Sequence, residues 1–222
     1  MFKNLMRFWK GSDFVSQVLG DFKTMLDDTE EMFVIVCDKL IHNKGEGNLK
    51  EIIYAIDLRV NNKEKEIRKR IIEHLSVNPS VDLPTSLLLM SVVKDAERLG
   101  DYSKNLYEIT TFTDKPLDAQ KFTDLFDHID QKILKLFKET KTAFMESDEK
   151  KAQEAWHVER EVAEVCDDIL KKLVQSNYPS DETVSLTLTA RYFKRITAHL
   201  TNIATSVAVP LTDLDYFDEQ RK

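Results

Sequence analysis

Two neighbouring stretches of the chain carry acidic and amide side chains at four-residue spacing. In Lys94-Asp-Ala-Glu-Arg-Leu-Gly-Asp-Tyr-Ser-Lys-Asn-Leu-Tyr-Glu-Ile109, the residues Glu97, Asp101 and Asn105 recur every fourth position. At about 100° per residue, that spacing forms a nearly straight row on a helix. Upstream, Asp57 and Asn61 repeat the spacing. If the rows face one another, carboxylates converge, and like charges held close repel unless one is protonated or a cation sits between them. Oxygen-only donors suit hard ions, so a divalent or trivalent iron, manganese or magnesium ion fits better than thiolate-seeking zinc. The same pattern also admits an ordinary ion-pair network, with Arg59, Arg98 or Lys94 neutralising the acids.

These rows need long helices to carry them. Leu88, Val92, Leu99, Tyr102, Leu106 and Ile109 make a three-four apolar stripe beside the second row. Gly100 interrupts it, and a glycine inside a helix suggests close approach by a neighbour. Periodicity predicts helices over residues 13–42, 49–75, 82–110, 118–145, 147–175 and 181–207. The boundaries follow from local chemistry. The Asn43-Lys-Gly-Glu-Gly-Asn48 loop ends the first, Asp82 and Ser147 are N-cap candidates, Pro84 suits a first turn, and Pro210 ends the last. Only five Gly and five Pro in 222 residues, with 32% charged, agree with an all-α fold of six long helices.

The order repeats. Glu97-Arg-Leu-Gly-Asp-Tyr-Ser-Lys-Asn-Leu106 aligns with Lys194-Arg-Ile-Thr-Ala-His-Leu-Thr-Asn-Ile203, and Val60, Ile67, Ile71 and Leu75 align with Val158, Val165, Ile169 and Leu173. Short turns make neighbours antiparallel. The chain therefore reads as a tandem of two antiparallel three-helix bundles, residues 1–112 with the metal motif and 113–222 with a degenerate copy and a tail. A hairpin turn centred near Pro79 sets Asp57 against Asp101 and Asn61 against Glu97. In the second half the corresponding residues are Ala155, Glu159, Lys194 and Ala198. There, a Glu159–Lys194 ion pair is expected in place of a metal, beside two alanines in contact. His199 aligns with Tyr102 on the apolar stripe, which makes it a core or interface residue before a ligand.

Other chemistry is poorly represented. No phosphate-cradling glycine loop and no nucleophile elbow occurs. Glu154-Ala-Trp-His157 is a lone Glu-x-x-His, whereas di-iron bundles use two. Cys37 and Cys166 show no metal-ligating spacing and read as buried thiols. A net charge of −7 argues against nucleic acid as a partner. No apolar run approaches a membrane span, and no secretory segment is visible, so a cytoplasmic protein is expected. Met1 to Lys10 holds Phe2, Leu5, Met6, Phe8 and Trp9 with Lys3, Arg7 and Lys10. It reads either as a peripheral membrane contact or as a segment packing on its own bundle or a partner.

Asp57-x-x-x-Asn61, followed by Asp95-Ala-Glu-Arg-Leu-Gly-Asp-Tyr-x-x-Asn105, resembles the PhoU family of phosphate-uptake regulators, as does the duplicated layout. The resemblance covers roughly residues 13–210. It implies a PhoU-like fold and metal ligands Glu97 and Asp101, with Asp57 and Asn61 opposite. Lys194 and Ala198 break the family pattern in the second half. The resemblance further implies a non-enzymatic, cytoplasmic adaptor in phosphate homeostasis and starvation signalling. Its partners would be a phosphate transporter ATPase subunit and a sensor histidine kinase, and a homodimer is an option. The alternatives are a metal-dependent enzyme or metal-storage bundle using the same carboxylates, or a helical adaptor without metal.

Overall fold

The structure, a computed structural model, describes residues 13–44, 47–80, 82–112 and 117–217. The expected contact by Met1 to Lys10 lies outside the described residues. Among those described there are seven α-helices and no strand. They are α1 (Asp13–His42), α2 (Leu49–Val77), α3 (Leu83–Ile109), α4 (Ala119–Phe126), α5 (Ile129–Glu146), α6 (Glu149–Val174) and α7 (Ser180–Thr205). A 3-10 turn, Leu211–Asp213, follows and rests against α3.

Each long helix buries a stripe at three-four spacing. On α1 it runs through Val18, Phe22, Met25, Leu26, Met32, Phe33 and Val36, all essentially inaccessible. α1, α2 and α3 pack as one unit, and α5, α6 and α7 as another. The units meet through α3 against α7 and α1 against α5, which leaves α2 and α6 on the outside. Phe33 of α1 lies against Phe137 of α5 and Phe193 of α7, with ring centroids 5.4 and 5.9 Å apart. One apolar core therefore runs through both halves, and a large-to-small change at such a phenylalanine costs about 3–5 kcal/mol.

Three local expectations are corrected. The helix expected over 118–145 is broken at Asp127 and His128, both left-handed with φ of 45° and 56°. Two such residues cannot continue a right-handed helix. The break lets Phe122 stack on Phe126 at 4.2 Å and both present edges to Phe193. Ser147 does not cap α6. It is the left-handed end of α5, and Asp148 is the cap, accepting from the backbone N–H groups of Lys150 and Lys151. Asp82 stands at the N-cap of α3 but is left-handed and caps nothing, its carboxylate lying 3.3 Å from His74 Nε2.

Gly100 does sit at a helix junction, where an added Cβ would lie 3.6 Å from Val60 and 3.7 Å from Thr29. Those are ordinary contacts, so close approach does not require glycine there. Cys37 and Cys166 are buried free thiols. Burial pushes the Cys37 thiol well above its ordinary value and the Cys166 thiol up to about 12, which keeps both protonated and inert.

Candidate metal centre

The outward face of the α2–α3 hairpin gathers the acidic rows. On α2, Asp57, Asn61, Glu64 and Arg68 follow at helical spacing; on α3, Lys94, Glu97, Asp101 and Lys104 do the same. The cross-hairpin contacts set the register. Tyr54 donates its hydroxyl to Glu108 at 3.0 Å, Val60 lies against Gly100, and Lys104 reaches Asp57. α2 ends at Val77 and α3 starts at Leu83, so the turn is centred nearer Ser80 than Pro79. Asp57 therefore stands opposite Lys104, and Glu64 falls opposite Glu97.

Lys104 Nζ lies 2.9 Å from Asp57 Oδ2 and 3.4 Å from Asp101 Oδ1, bridging the two carboxylates. Arg98 donates to Asp101 at 3.0 Å and lies 3.7 Å from Glu97. Asn61 Nδ2 donates to Asp57 at 3.4 Å, holding it from within its own helix. Asp57, Asp101 and Lys104 are half-buried, with 13, 28 and 20% of their side chains exposed. The neutralising cations are thus Lys104 and Arg98. Arg59, one of the three expected from sequence, turns to Asp28 of α1 at 2.7 Å.

Electrostatics single out Glu97. Loss of water first, and then the charge of Asp101, hold its carboxyl above its ordinary value. Arg98 opposes the shift, while Glu64 and a hydrogen bond with Asp101 add to it. Lys104 is held above its ordinary value too. Burial, the largest influence, lowers it, but the hydrogen bond and charge of Asp57, and then Asp101, together outweigh burial. Among the described residues, no group of three or more His, Cys, Asp or Glu side chains stands ready to hold a metal ion. What exists is a half-buried, oxygen-rich groove in which an ammonium occupies the space between two carboxylates and a third carboxylate resists its charge. Its acceptors are all oxygens, the donor type that hard cations take.

Reading the sequence missed Lys104 and Glu64. Lys104 follows Asp101 by three residues and Glu97 by seven; Glu64 follows Asp57 by seven. Continuing each row one helical turn would have found both.

Among the described residues, the second half shows no such groove. Lys194 places its ammonium 2.7 Å from both oxygens of Asp167, so the expected pairing with Glu159 is corrected. Asp167 stands eight residues beyond Glu159, about 12 Å of helix, out of reach of the same ammonium. The register of α6 and α7 brings Lys194 to Asp167, while Thr201 donates to the carbonyl of Ala155. Glu154 of the lone Glu-x-x-His lies 3.8 Å from Lys150, and His157 lies against Trp156. His199 lies between the halves. Its Nδ1 is 2.7 Å from Asp95 Oδ1, Asn202 donates to the same oxygen at 3.4 Å, and Tyr102 stacks on the ring. Asp95 is 7% exposed. This cluster couples α3 to α7 directly behind the acidic row.

A duplicated three-helix scaffold, joined through α3 against α7, with paired acidic rows facing each other across the α2–α3 hairpin, defines a class of duplicated helical bundles. The PhoU domain model matches residues 22–110 and 126–207, and the chain belongs to the PhoU family. It is 21% identical over 196 residues to a protein from Deinococcus radiodurans called phosphate-specific transport system accessory protein PhoU homolog. That match covers 86% of this chain and 91% of the relative. A protein of the same description from Caulobacter vibrioides is 22% identical over 185 residues, covering 81% of this chain and 80% of that one. The fold is similar to the crystal structure of PhoU from Pseudomonas aeruginosa, with a TM-score of 0.75, 20% identity, and coverage of 87% of this chain and 95% of that chain. It is also similar to the phosphate transport system regulatory protein PhoU from Streptococcus pneumoniae, with a TM-score of 0.70, 15% identity, and coverage of 92% and 94%.

Proposed function

We propose that this chain is a metal-binding, non-enzymatic regulator of phosphate uptake and phosphate-starvation signalling. In this reading it acts in the cytoplasm as an adaptor between a phosphate transporter ATPase subunit and a sensor histidine kinase. Residues 1–112 carry the metal site, and 113–222 act as a scaffold. The observation that carries the metal reading is that Asp57 and Asp101 share the Lys104 ammonium while Glu97 lies close enough to Asp101 to feel its charge. Asp57, Glu97 and Asp101 would hold the ion, Asn61 would orient Asp57, and Glu64 would complete the row. When bound, an iron, manganese or magnesium ion supplies fixed positive charge. Lys104 would give up its place between Asp57 and Asp101 to the ion, and the added positive charge would favour the ionised Glu97. No histidine joins this groove, and the relatives are named accessory and regulatory proteins. Both points favour an adaptor over a metalloenzyme or a storage bundle.

Phosphate uptake and a phosphate-starvation reporter, measured in cells lacking this chain, test the reading. Wild-type chain should restore phosphate-dependent restraint of both, and the Asp101→Ala variant should not. Uptake and reporter that respond normally to phosphate without the chain would refute it.

A further inference from the structure

The chain folds back on itself after α7. Beyond Pro210 it makes the 3-10 turn at Leu211–Asp213, which rests against α3, and runs on to Phe217. Phe217 is 8% exposed and sets its ring against Trp156 of α6, with centroids 5.9 Å apart and planes at 67°. The Arg160 guanidinium lies over the same indole at 5.4 Å. Leu214, three residues before Phe217, packs on the core. Between these two anchors, Asp215 comes close enough to Lys94 and Asp95 of α3 and to His199 of α7 to feel the charge of each. Because α7 packs against both α3 and α6, residues 211–217 cross α7 beside the His199–Asp95 contact.

Side chains hold this crossing. The backbone bonds of the segment are its own turns, from the Asp213 N–H to the Pro210 carbonyl at 3.0 Å and from the Tyr216 N–H to the Asp213 carbonyl at 3.1 Å. Among the described residues, no backbone hydrogen bond ties 211–217 to a helix. Leu211 and Tyr216 are 37 and 56% exposed, which leaves Leu214 and Phe217 as the apolar anchors. Docking also works against itself at Asp215. Its backbone is left-handed, with φ of 69°, which costs a residue other than glycine. Loss of water and the charge of Asp95 hold its carboxyl above its ordinary value, against His199 and Lys94. The seam beneath is complete without the segment. Tyr102 meets Tyr192 and His199, and Asp95 meets His199 and Asn202, within α3 and α7 alone. A terminal segment with two anchors and an intact surface under it opens locally, without unfolding the bundles.

We propose that residues 211–217 are a releasable strap, a peptide that the chain carries as its own ligand, and that its seat across α3, α7 and α6 is a peptide-docking surface which the strap covers. The seat takes a short segment with leucine and phenylalanine three residues apart and an acid between them, as in Leu214-Asp-Tyr-Phe217. Release uncovers Trp156 and the seam between the halves. This goes beyond the adaptor reading, and it needs neither metal nor transporter nor kinase.

The full chain carrying Trp9→Phe keeps Trp156 as its one tryptophan, and its fluorescence tests the proposal. Adding Leu214→Ser with Phe217→Ser releases the strap, and acrylamide should then quench Trp156 about twofold more efficiently or better. A labelled synthetic peptide of residues 209–217 should bind this released variant and restore the protection of Trp156. The chain with its strap intact should bind the peptide about tenfold more weakly or worse, because the seat is already filled. A peptide with serine at both anchors should bind neither chain. Circular dichroism establishes that the released variant keeps its helices. Phe217→Ala alone, which retains Leu214, should move both readouts the same way by less. Unchanged quenching in the released variant overturns the proposal. So does a peptide that fails to bind that variant or binds both chains equally. A peptide that never enters the seat of the intact chain, even at about a thousand times the variant's dissociation constant, overturns it too, because the strap is then a fixed part of the fold.

Discussion

If the proposed ion sits between Asp57 and Asp101, it takes the place of the Lys104 ammonium, so removing that charge should separate stability from metal affinity. Lys104→Met keeps the aliphatic stem and deletes the ammonium that bridges Asp57 at 2.9 Å and Asp101 at 3.4 Å. Exposed ion pairs contribute about 0–1 kcal/mol, and breaking a buried pair costs about 3–5 kcal/mol. This half-buried bridge lies between, so the metal-free variant should lose about 1–3 kcal/mol of stability at neutral pH. On the proposed reading, metal entry in the wild type displaces the same interaction. Without it, affinity should rise by a similar amount, roughly tenfold to a hundredfold at about 1.4 kcal/mol per decade. Urea unfolding in chelator reports the first effect, and calorimetric titration with manganese the second. Lower stability with unchanged or weaker manganese binding would refute the idea that ion and ammonium compete for one place. Unchanged stability would show that the bridge contributes nothing.

Glu97 has a carboxyl raised in the folded state, so its ionised form carries a penalty that is present above the folded pKa and relieved as pH falls through it. Metal-free protein should gain stability as pH is lowered from neutral into the upper carboxylate range, and Glu97→Gln should abolish that gain, as denaturation across pH will show. Gly100→Ala should stabilise the protein by about 0.5–1 kcal/mol through helix propensity, because the new methyl meets only ordinary contacts; a lower melting temperature would mean that Val60 and Thr29 do not yield. Asp95→Ala should cost about 1–3 kcal/mol by leaving the His199 ring nitrogen without its acceptor. A double-mutant cycle with His199→Ala should show coupling between the sites, and strict additivity would mean the contact is energetically idle.

The helical architecture was legible because the apolar spacing is regular and breakers are few. On α2, Ile53, Ile56, Val60, Ile67 and Ile71 form one buried three-four stripe. The break at Asp127–His128 was hidden because Phe122, Phe126, Ile129 and Ile133 keep three-four spacing straight through it. Spacing records which side chains face the core, not whether the backbone between them is continuous. The acidic rows were legible as rows, but the partner of each acid was not. The observed register stands three residues from the expected one, which puts Lys104 rather than Asp101 opposite Asp57 and Glu64 rather than Asn61 opposite Glu97. In the second half, the side chain of Lys194 reaches along α6 to Asp167, and two register shifts in sequence carry no information about that reach. The pairing of His199 with Asp95 depends on how the halves dock. That is set by α3 against α7 and by phenylalanines distant in sequence, so no local motif announces it.

The metal site itself is tested most directly by elemental analysis of protein purified without chelator, wild type beside Asp101→Ala. The account predicts bound iron, manganese or magnesium in the wild type and loss of most of it in the variant, because Asp101 is the carboxylate shared by Lys104, Arg98 and Glu97. A variant that retains the wild-type metal content would contradict it.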